Sequence, residues 1–174
     1  MKVLYLRARA VVVPGGEAIA ATLADGSEMT IKARHILVAT GSSPTRSPAI
    51  PFDDSSIFDS DSIAKLAFLQ RRVAIAGAGI IALEFAKIFA KLGCSVTMVV
   101  RGEAAGSLRR VGLDESLVQA LLAALSESGV TVLEHTSAAS FTTPTSPGKP
   151  MVVELSGVEG KPPPPARLEC DVYL

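Results

Sequence analysis

The chain has few of the residues that mark several common classes of protein. Aromatic residues make up only 5% of its 174 residues, so its core must be built from Ala, Val, Ile and Leu. Small aliphatic side chains suit a parallel sheet that is covered by helices. Lys and Arg number 17, and Asp and Glu also number 17, so the formal net charge is zero. The lack of a basic excess argues against a nucleic-acid-binding protein.

Cysteine and histidine are also scarce. Cys94 and Cys170 lie far apart in the sequence and form neither a redox pair nor a metal-binding spacing. We expect both thiols to be small core side chains. His35 and His135 are equally isolated, and we assign neither a metal role.

No apolar run is long and uniform enough for a membrane span. The longest, at 73–92, is interrupted by Glu84, Lys87 and Lys91 and by two glycines. The N-terminal residues also lack the apolar stretch of a signal peptide. We therefore expect a soluble, cytoplasmic protein with no membrane and no nucleic-acid partner.

The most informative segment is a glycine turn between a strand and a helix. The apolar strand predicted at 72–76 runs into Gly77, Ala78 and Gly79, and a helical pattern follows. The first glycine of such a turn allows the tight bend, and the second lets a ligand approach the backbone closely. The third position must be small so that helix and strand can pack, and Ala82 is small.

The start of this helix favours an anionic ligand. Unpaired N–H groups and the positive end of the helix dipole point outward there. With the strand predicted at 94–100, the turn completes a strand–helix–strand unit within about thirty residues, which is typical of dinucleotide binding. The residues expected to bind the dinucleotide here are Gly77, Ala78, Gly79, Ile80, Ile81 and Ala82.

The remaining chain alternates between strands, helices and turns. Strands predicted at 3–13, 17–23 and 28–32 form an antiparallel meander, and an apolar strand follows at 35–41. Later segments comprise a helix at 113–128 and strands at 130–134, 137–142, 151–155 and 167–173, with proline-rich loops at 144–150 and 160–165. The predicted fold class is α/β, a Rossmann-like parallel sheet with helices and a small antiparallel β-meander.

Two segments are predicted in more detail. Residues 46–70 are rich in Ser, Pro and Asp and form a linker with a short helix at 63–69, capped by residues 60–62. The helix after the glycine turn packs on the sheet through one apolar face. That face consists of Ile81, Phe85, Ile88, Phe89 and Leu92.

Four segments resemble the flavoprotein disulfide reductase family. They are residues 33–44 (Ala-Arg-His-Ile-Leu-Val-Ala-Thr-Gly-Ser-Ser-Pro), 58–63, 77–84 and 168–174, and in this order they span nearly the whole chain. The resemblance implies NAD(P)H and FAD as cofactors and a homodimer in the full-length protein. It also implies that residues 1–45 are the tail of an FAD-binding domain, 46–70 a linker, and 71–174 an NAD(P)-binding domain.

The resemblance gives several residues a cofactor role. Glu84 matches a glutamate that lies near the nicotinamide, although it could instead pair with Lys87 three residues further on. Ala10, Thr40 and Gly41 match positions that approach FAD.

Cofactor choice is expected to depend on the end of the strand at 94–100. Val100 occupies the position that is acidic in NAD-using relatives, and Arg101 follows it directly. An Arg there accommodates a 2′-phosphate, whereas an acid accepts hydrogen bonds from the ribose hydroxyl. Arg109 or Arg110 supplies a second guanidinium. We therefore expect NADP(H), with NAD(H) as the alternative if Glu103 reaches the ribose.

The family's first FAD-binding unit and its Cys-x-x-x-x-Cys pair are not found in this sequence. The resemblance therefore implies one part of a longer flavoprotein chain that is inactive alone and whose ligand is a nicotinamide dinucleotide. The leading function is the NAD(P)H domain of an FAD-dependent oxidoreductase similar to soluble transhydrogenase. The alternatives are a disulfide reductase similar to glutathione reductase or dihydrolipoamide dehydrogenase, and a non-catalytic nucleotide-sensing domain.

Overall fold

The chain folds into two units, Met1–Ser43 and Pro44–Leu174. The computed structural model describes residues 3–67, 69–144 and 149–174. The first unit is an antiparallel meander of β1 (Ala8–Val12), β2 (Ala18–Leu23) and β3 (Glu28–Lys32), in that order across the sheet. Tight turns join the strands, and the N–H of Gly16 donates to the carbonyl of Val13 at 2.9 Å. The predicted meander is confirmed, but its first strand begins at Ala8 and not at residue 3.

The strand predicted at 35–41 is wrong. These residues have no regular secondary structure and belong to no sheet of the described chain. Leu37 and Val38 are 90% and 70% exposed. A strand forms only where a neighbour can pair with its N–H and C=O groups, and the meander does not supply that neighbour. The apolar pattern therefore predicted buried side chains, but the first unit leaves Leu37 and Val38 exposed.

Within its described residues, the second unit combines two sheets and three α-helices. Its strands are β4 (Arg72–Ala76), β5 (Ser95–Val99), β6 (Thr131–Leu133), β7 (Thr136–Thr142), β8 (Met151–Gly157), β9 (Arg167–Cys170) and β10 (Val172–Tyr173). Its helices are α1 (Ile80–Lys91), α2 (Ala104–Arg110) and α3 (Glu115–Glu127), with a short 3-10 helix at Ser62–Lys65. The parallel sheet has the order β10-β4-β5-β6, and β7-β8-β9 form an antiparallel sheet. This architecture confirms the α/β fold class. No helix in the described ranges is long and apolar enough to cross a bilayer.

Strand β10 is locked against β4 by a reciprocal pair of residues. The N–H and the guanidinium of Arg72 donate to the carboxylate of Asp171 at 2.9 and 2.7 Å. The N–H of Asp171 donates to the carbonyl of Arg72 at 2.8 Å. At the other end of β4, the N–H of Ala76 donates to the carbonyl of Leu174 at 2.7 Å. These bonds fix the register of β10 beside the strand that leads into the glycine turn.

The segment before β4, predicted to be a linker, belongs to the second unit. Ile57 and Phe58 are buried, and the N–H of Phe58 donates to the carbonyl of Tyr173 at 2.8 Å. The guanidinium of Arg46 forms ion pairs with Asp54 and Asp59 across the segment. The predicted linker is therefore part of the second unit and pairs with β10.

The short helix predicted at 63–69 is a single 3-10 turn, Ser62–Lys65. Asp61 makes no side-chain cap. Instead, the carboxylate of Asp59 accepts the N–H of Ser62 at 2.7 Å. The cap therefore comes from the residue just before the predicted capping segment 60–62.

The face of α1 that packs on the sheet differs from the predicted one. The buried side chains are Leu83, Ala86 and Phe89, whereas Ile81, Ile88 and Leu92 are each at least half exposed. Of the predicted set, Phe89 is buried and Phe85 partly buried. Because α1 is apolar on most sides, periodicity cannot select one face, and the small Ala86 allows the closest approach to the strands.

Candidate functional site

The glycine turn lies at the carboxyl end of β4. Gly77 has a φ of +94°, a left-handed conformation that glycine adopts without steric cost. Its N–H donates to the carbonyl of Val99 at 2.8 Å, which ties the turn to the end of β5. Crevices at the carboxyl ends of parallel strands are where open α/β sheets bind ligands.

Gly79 is the N-cap residue of α1, and its conformation is unlike that of Gly77. Its φ of −76° and ψ of 173° are available to any residue. A Cβ built on Gly79 meets no atom of the described residues within 4 Å. No side chain caps the helix start. The backbone of the first turn is therefore open to a ligand from outside.

The other residues of the turn divide between core and surface. Ala78 is buried, and Ala82 packs partly buried against the main core. Ile80 and Ile81 are exposed at the start of the helix. Small residues thus lie where α1 meets the sheet, and the two larger ones border the open helix start.

Glu84 lies one turn further along α1 and is exposed. With Ile80 and Lys87 it borders a groove of about 170 Å³ between α1 and α3. No ion pair within 4.0 Å joins Glu84 to Lys87 or to any other described residue. The structural alternative for Glu84, a pair with Lys87, is therefore not observed.

The end of β5 places Val100 and Arg101 beside the glycine turn. The Val100 side chain lies in the core with 1% exposure, so only its backbone can face a ligand. Arg101 is exposed and makes no ion pair within the described part of the chain. Its guanidinium therefore has no anionic partner within 4.0 Å among the described residues.

Arg109 and Arg110 occupy α2, a helix that the sequence analysis did not predict. Arg109 donates to both carboxylate oxygens of Glu115 at 2.6 and 3.0 Å, and the hydrogen bonds from Arg109 lower the pKa of Glu115 to about 2. Arg110 donates to the hydroxyl of Ser107 at 3.0 Å. Arg109 therefore already has an anionic partner, whereas Arg101 has none in the part of the chain that the structure describes.

The turn between β6 and β7 holds the segment around Arg101. The N–H of Val100 donates to the carbonyl of Leu133 at 2.8 Å, and the N–H of Thr136 donates to the carbonyl of Val100 at 3.0 Å. The N–H of His135 donates to the carbonyl of Gly102 at 3.0 Å. The position of Arg101 is therefore set by the backbone on both sides of it.

Glu134 adds a side chain to this arrangement. Its carboxylate accepts the N–H of Ala104, the first residue of α2, at 2.7 Å. Sequence reasoning missed Glu134, although an acidic residue at the end of a predicted parallel strand was a usable signal. Glu134 caps α2 from a position thirty residues after Ala104. Local capping patterns in the sequence do not extend that far.

The remaining predicted residues belong to the first unit. Ala10 pairs with Ala21 in the meander. Thr40 and Gly41 lie after β3 in a segment outside any sheet, and Gly41 has a left-handed φ of +75°. These three residues therefore belong to the first unit, whereas the glycine turn belongs to the second.

Both cysteines are buried, as predicted. Burial raises the pKa of the Cys170 thiol to about 12 and also raises that of Cys94. Their thiols are therefore core side chains without thiolate character at neutral pH.

Known proteins are similar to this chain in sequence and in fold. Residues 3–171 match the profile of the pyridine nucleotide-disulphide oxidoreductase family. The chain is 32% identical to mitochondrial dihydrolipoyl dehydrogenase of Caenorhabditis elegans over 161 residues, which is 92% of this chain and 31% of that protein. It is 40% identical to soluble pyridine nucleotide transhydrogenase of Colwellia psychrerythraea over 111 residues, 64% of this chain and 23% of the relative. The chain thus spans less than a third of the length of either protein.

Solved structures show the same fold. LpdA from Mycobacterium tuberculosis superposes with a TM-score of 0.65 at 27% identity, covering 90% of this chain and 31% of that one. The Cu(II) complex of the flavoprotein disulfide reductase RclA from Escherichia coli gives a TM-score of 0.64 over 95% of this chain and 34% of that one. At 20% identity this second likeness shows the fold alone. This chain belongs to the pyridine nucleotide-disulphide oxidoreductase family.

Proposed function

We propose that the second unit binds NAD(P)H at the glycine turn, as the nicotinamide nucleotide domain of an FAD-dependent oxidoreductase. Gly79 carries this proposal. Neither its backbone angles nor the space around its Cα requires glycine within the described chain. A glycine at the open start of a 12-residue helix is explained by a ligand that approaches the backbone there.

The pyrophosphate fits the residues that are present. The uncapped N–H groups at the start of α1 donate to its oxygens, and the helix dipole stabilises its charge. Ala82 keeps α1 close to β4, which holds these donors in place. The missing side chain at Gly79 leaves room for the phosphates to reach the donors.

In this proposal, Glu84 contacts the nicotinamide end of the nucleotide and Arg101 contacts the end that carries the 2′-phosphate. Glu84 orients the nicotinamide, since its carboxylate has no ion-pair partner among the described residues. Arg101 binds the 2′-phosphate of NADP(H) at the end of β5, where a hydrogen-bonding acid would favour NAD(H). A flavin bound to the complete protein accepts the hydride from the nicotinamide.

The proposed whole-protein activity is hydride transfer between NAD(P)H and flavin, as in a soluble transhydrogenase. The 40% identity to the transhydrogenase supports it. The roles of residues 1–45 as part of an FAD-binding domain, and of Ala10, Thr40 and Gly41 as flavin contacts, are part of the same proposal. So is a homodimer of the full-length protein.

The substitution Gly79→Ala tests nucleotide binding. Because the added Cβ meets no described protein atom, stability should stay the same. The Cβ occupies the path of the pyrophosphate, so affinity for NADPH and NADH should both fall by at least about tenfold, or about 1.4 kcal/mol. Isothermal titration calorimetry of the 174-residue chain measures both affinities, and thermal unfolding measures the stability.

Gly106→Ala is the matched control. Gly106 lies in α2, and its added Cβ would lie at an ordinary 3.7 Å from the Cβ of Glu103. This variant should be as stable as the wild type or more so and should keep its nucleotide affinity. A Gly79→Ala variant that binds either nucleotide as tightly as wild type would contradict the proposed site.

The substitution Arg101→Ala tests cofactor selectivity. Hydrogen bonds to charged groups contribute about 1.5–3 kcal/mol, so NADPH should bind roughly 10- to 100-fold more weakly. NADH lacks the 2′-phosphate, and its affinity should change by less than about threefold. Equal losses for the two nucleotides, or tighter binding of NADH than NADPH by the wild type, would refute the role of Arg101.

A further inference from the structure

The loop between β8 and β9 contains four consecutive prolines that the nucleotide site does not use. Pro162, Pro163 and Pro165 are exposed, and Pro164 is half-buried. None of the four has a backbone N–H, so this loop cannot extend either neighbouring strand. A solvent-exposed run of this kind calls for an explanation other than packing.

Covalent geometry dictates the conformation of the run. Proline fixes φ near −65°, and a residue that precedes proline is restricted to the extended region of ψ. Lys161, Pro162, Pro163 and Pro164 each precede a proline, so the run is restricted to the polyproline II conformation. This conformation has three residues per turn, and Pro162 and Pro165 therefore lie on the same side.

The run is held at both ends and in the middle. The N–H of Lys161 donates to the carbonyl of Val158 at 3.1 Å, and the carbonyl of Ala166 accepts the N–H of Leu155 at 3.0 Å. The Cδ atom of Pro164 lies 2.6 Å from where a Cβ on Gly157 would be, so glycine is required there for the run to lie against β8. The exposed side is thus presented by a fixed scaffold, which reduces the entropy lost on binding.

Two cations flank the prolines. Lys161 precedes them, and Arg167 follows Pro165 by two residues. Both are exposed, and neither forms an ion pair within 4.0 Å in the described ranges. Arg167 lies opposite Glu154 in the β8–β9 ladder but makes no ion pair with it. Its charge is therefore available to a partner.

We propose that residues 161–167 are a docking segment for a protein domain of the SH3 type. Such a domain binds polyproline II helices in an aromatic-lined groove. Pro162 and Pro165 fill two adjacent pockets of that groove. Arg167 pairs with carboxylates at its rim, which fixes the direction in which the segment binds.

The probe is an isolated SH3 domain that binds peptides of the pattern Pro-x-x-Pro-x-Arg, titrated with the 174-residue chain by calorimetry. A dissociation constant on the order of 10–100 μM is expected, as for weak, transient complexes. Pro165→Ala and Arg167→Glu should each weaken binding by about tenfold or more, because each removes one anchor. Circular dichroism of each variant shows that the chain remains folded.

Pro163→Ala is the matched control, since Pro163 lies on another side of the polyproline helix. It removes a ring and a φ restraint as Pro165→Ala does, yet should change affinity by less than about threefold. An SH3 domain whose rim carboxylates are replaced by amides should bind more weakly and no longer distinguish Arg167→Glu from wild type. No measurable binding, equal losses for Pro163→Ala and Pro165→Ala, or binding unaffected by Arg167→Glu would overturn the proposal.

Discussion

Removing the Glu134 carboxylate should destabilise the second unit through helix α2. Glu134 accepts the N–H of Ala104 at 2.7 Å, and Ala104 is 2% exposed, so water cannot readily replace the acceptor. Loss of a helix cap costs about 1 kcal/mol, up to about 2 when the donor is shielded. Glu134→Ala should therefore lower the free energy of unfolding by about 1–2 kcal/mol. Glu134→Gln, which keeps an acceptor oxygen, should lose about half as much.

Urea unfolding followed by circular dichroism measures this change. With a slope of about 2 kcal/mol per molar urea, the midpoint should fall by about 0.5–1 M. Amide hydrogen exchange gives a local readout, since the Ala104 N–H should exchange at least about fivefold faster in Glu134→Ala than in wild type. Glu127→Ala, an exposed carboxylate at the end of α3, is the control and should change stability by less than about 0.5 kcal/mol. Unchanged unfolding and unchanged Ala104 exchange in Glu134→Ala would refute the capping role.

Two further predictions concern acid and thiol chemistry. Acid should destabilise the chain, because hydrogen bonds from Ser62 and Arg46 lower the pKa of Asp59, and those from Arg109 lower the pKa of Glu115 to about 2. A carboxylate whose pKa is lower in the folded than in the unfolded chain stabilises the fold at pH values above its unfolded-state pKa. The free energy of unfolding, measured by urea titration, should therefore stay constant at pH 5–7 and fall from about pH 4 towards pH 2. A free energy of unfolding that does not change between pH 4 and pH 2 would contradict this prediction. Burial raises the pKa of the Cys170 thiol to about 12. Cys170 should therefore not react with a thiol reagent such as 5,5′-dithiobis(2-nitrobenzoate) until the chain is unfolded in urea. Rapid labelling of Cys170 in the native chain would show that it is not buried in solution.

The sequence allowed the glycine turn and its flanking strands to be predicted because their signals are local. Gly77 must adopt a positive φ, and a strand must precede it while a helix follows. The meander was equally predictable from the sequence, since Pro14, Gly15 and Gly16 mark its first turn.

Features that depend on distant contacts were not predictable in the same way. The buried face of α1 is selected by the strands beneath it, and the residues of α1 are apolar on several sides. Helix α2 is capped by Glu134, which lies thirty residues beyond Ala104. The segment at 35–41 has the composition of a strand but no neighbour in the described meander. In each case the outcome depends on contacts with other parts of the chain, or on their absence among the described residues.

The pairing of β10 with β4 has a consequence for how this protein is made. Arg72 and Asp171 are 99 residues apart, so a ribosome must synthesise nearly all of the second unit before one edge of β4 can be covered. Until then the nascent chain exposes a hydrogen-bonding strand edge, which is a site for aggregation. Contacts over such separations also slow folding. Cells that produce this chain should therefore depend on chaperones during its synthesis more than they would for a sheet closed by neighbouring strands.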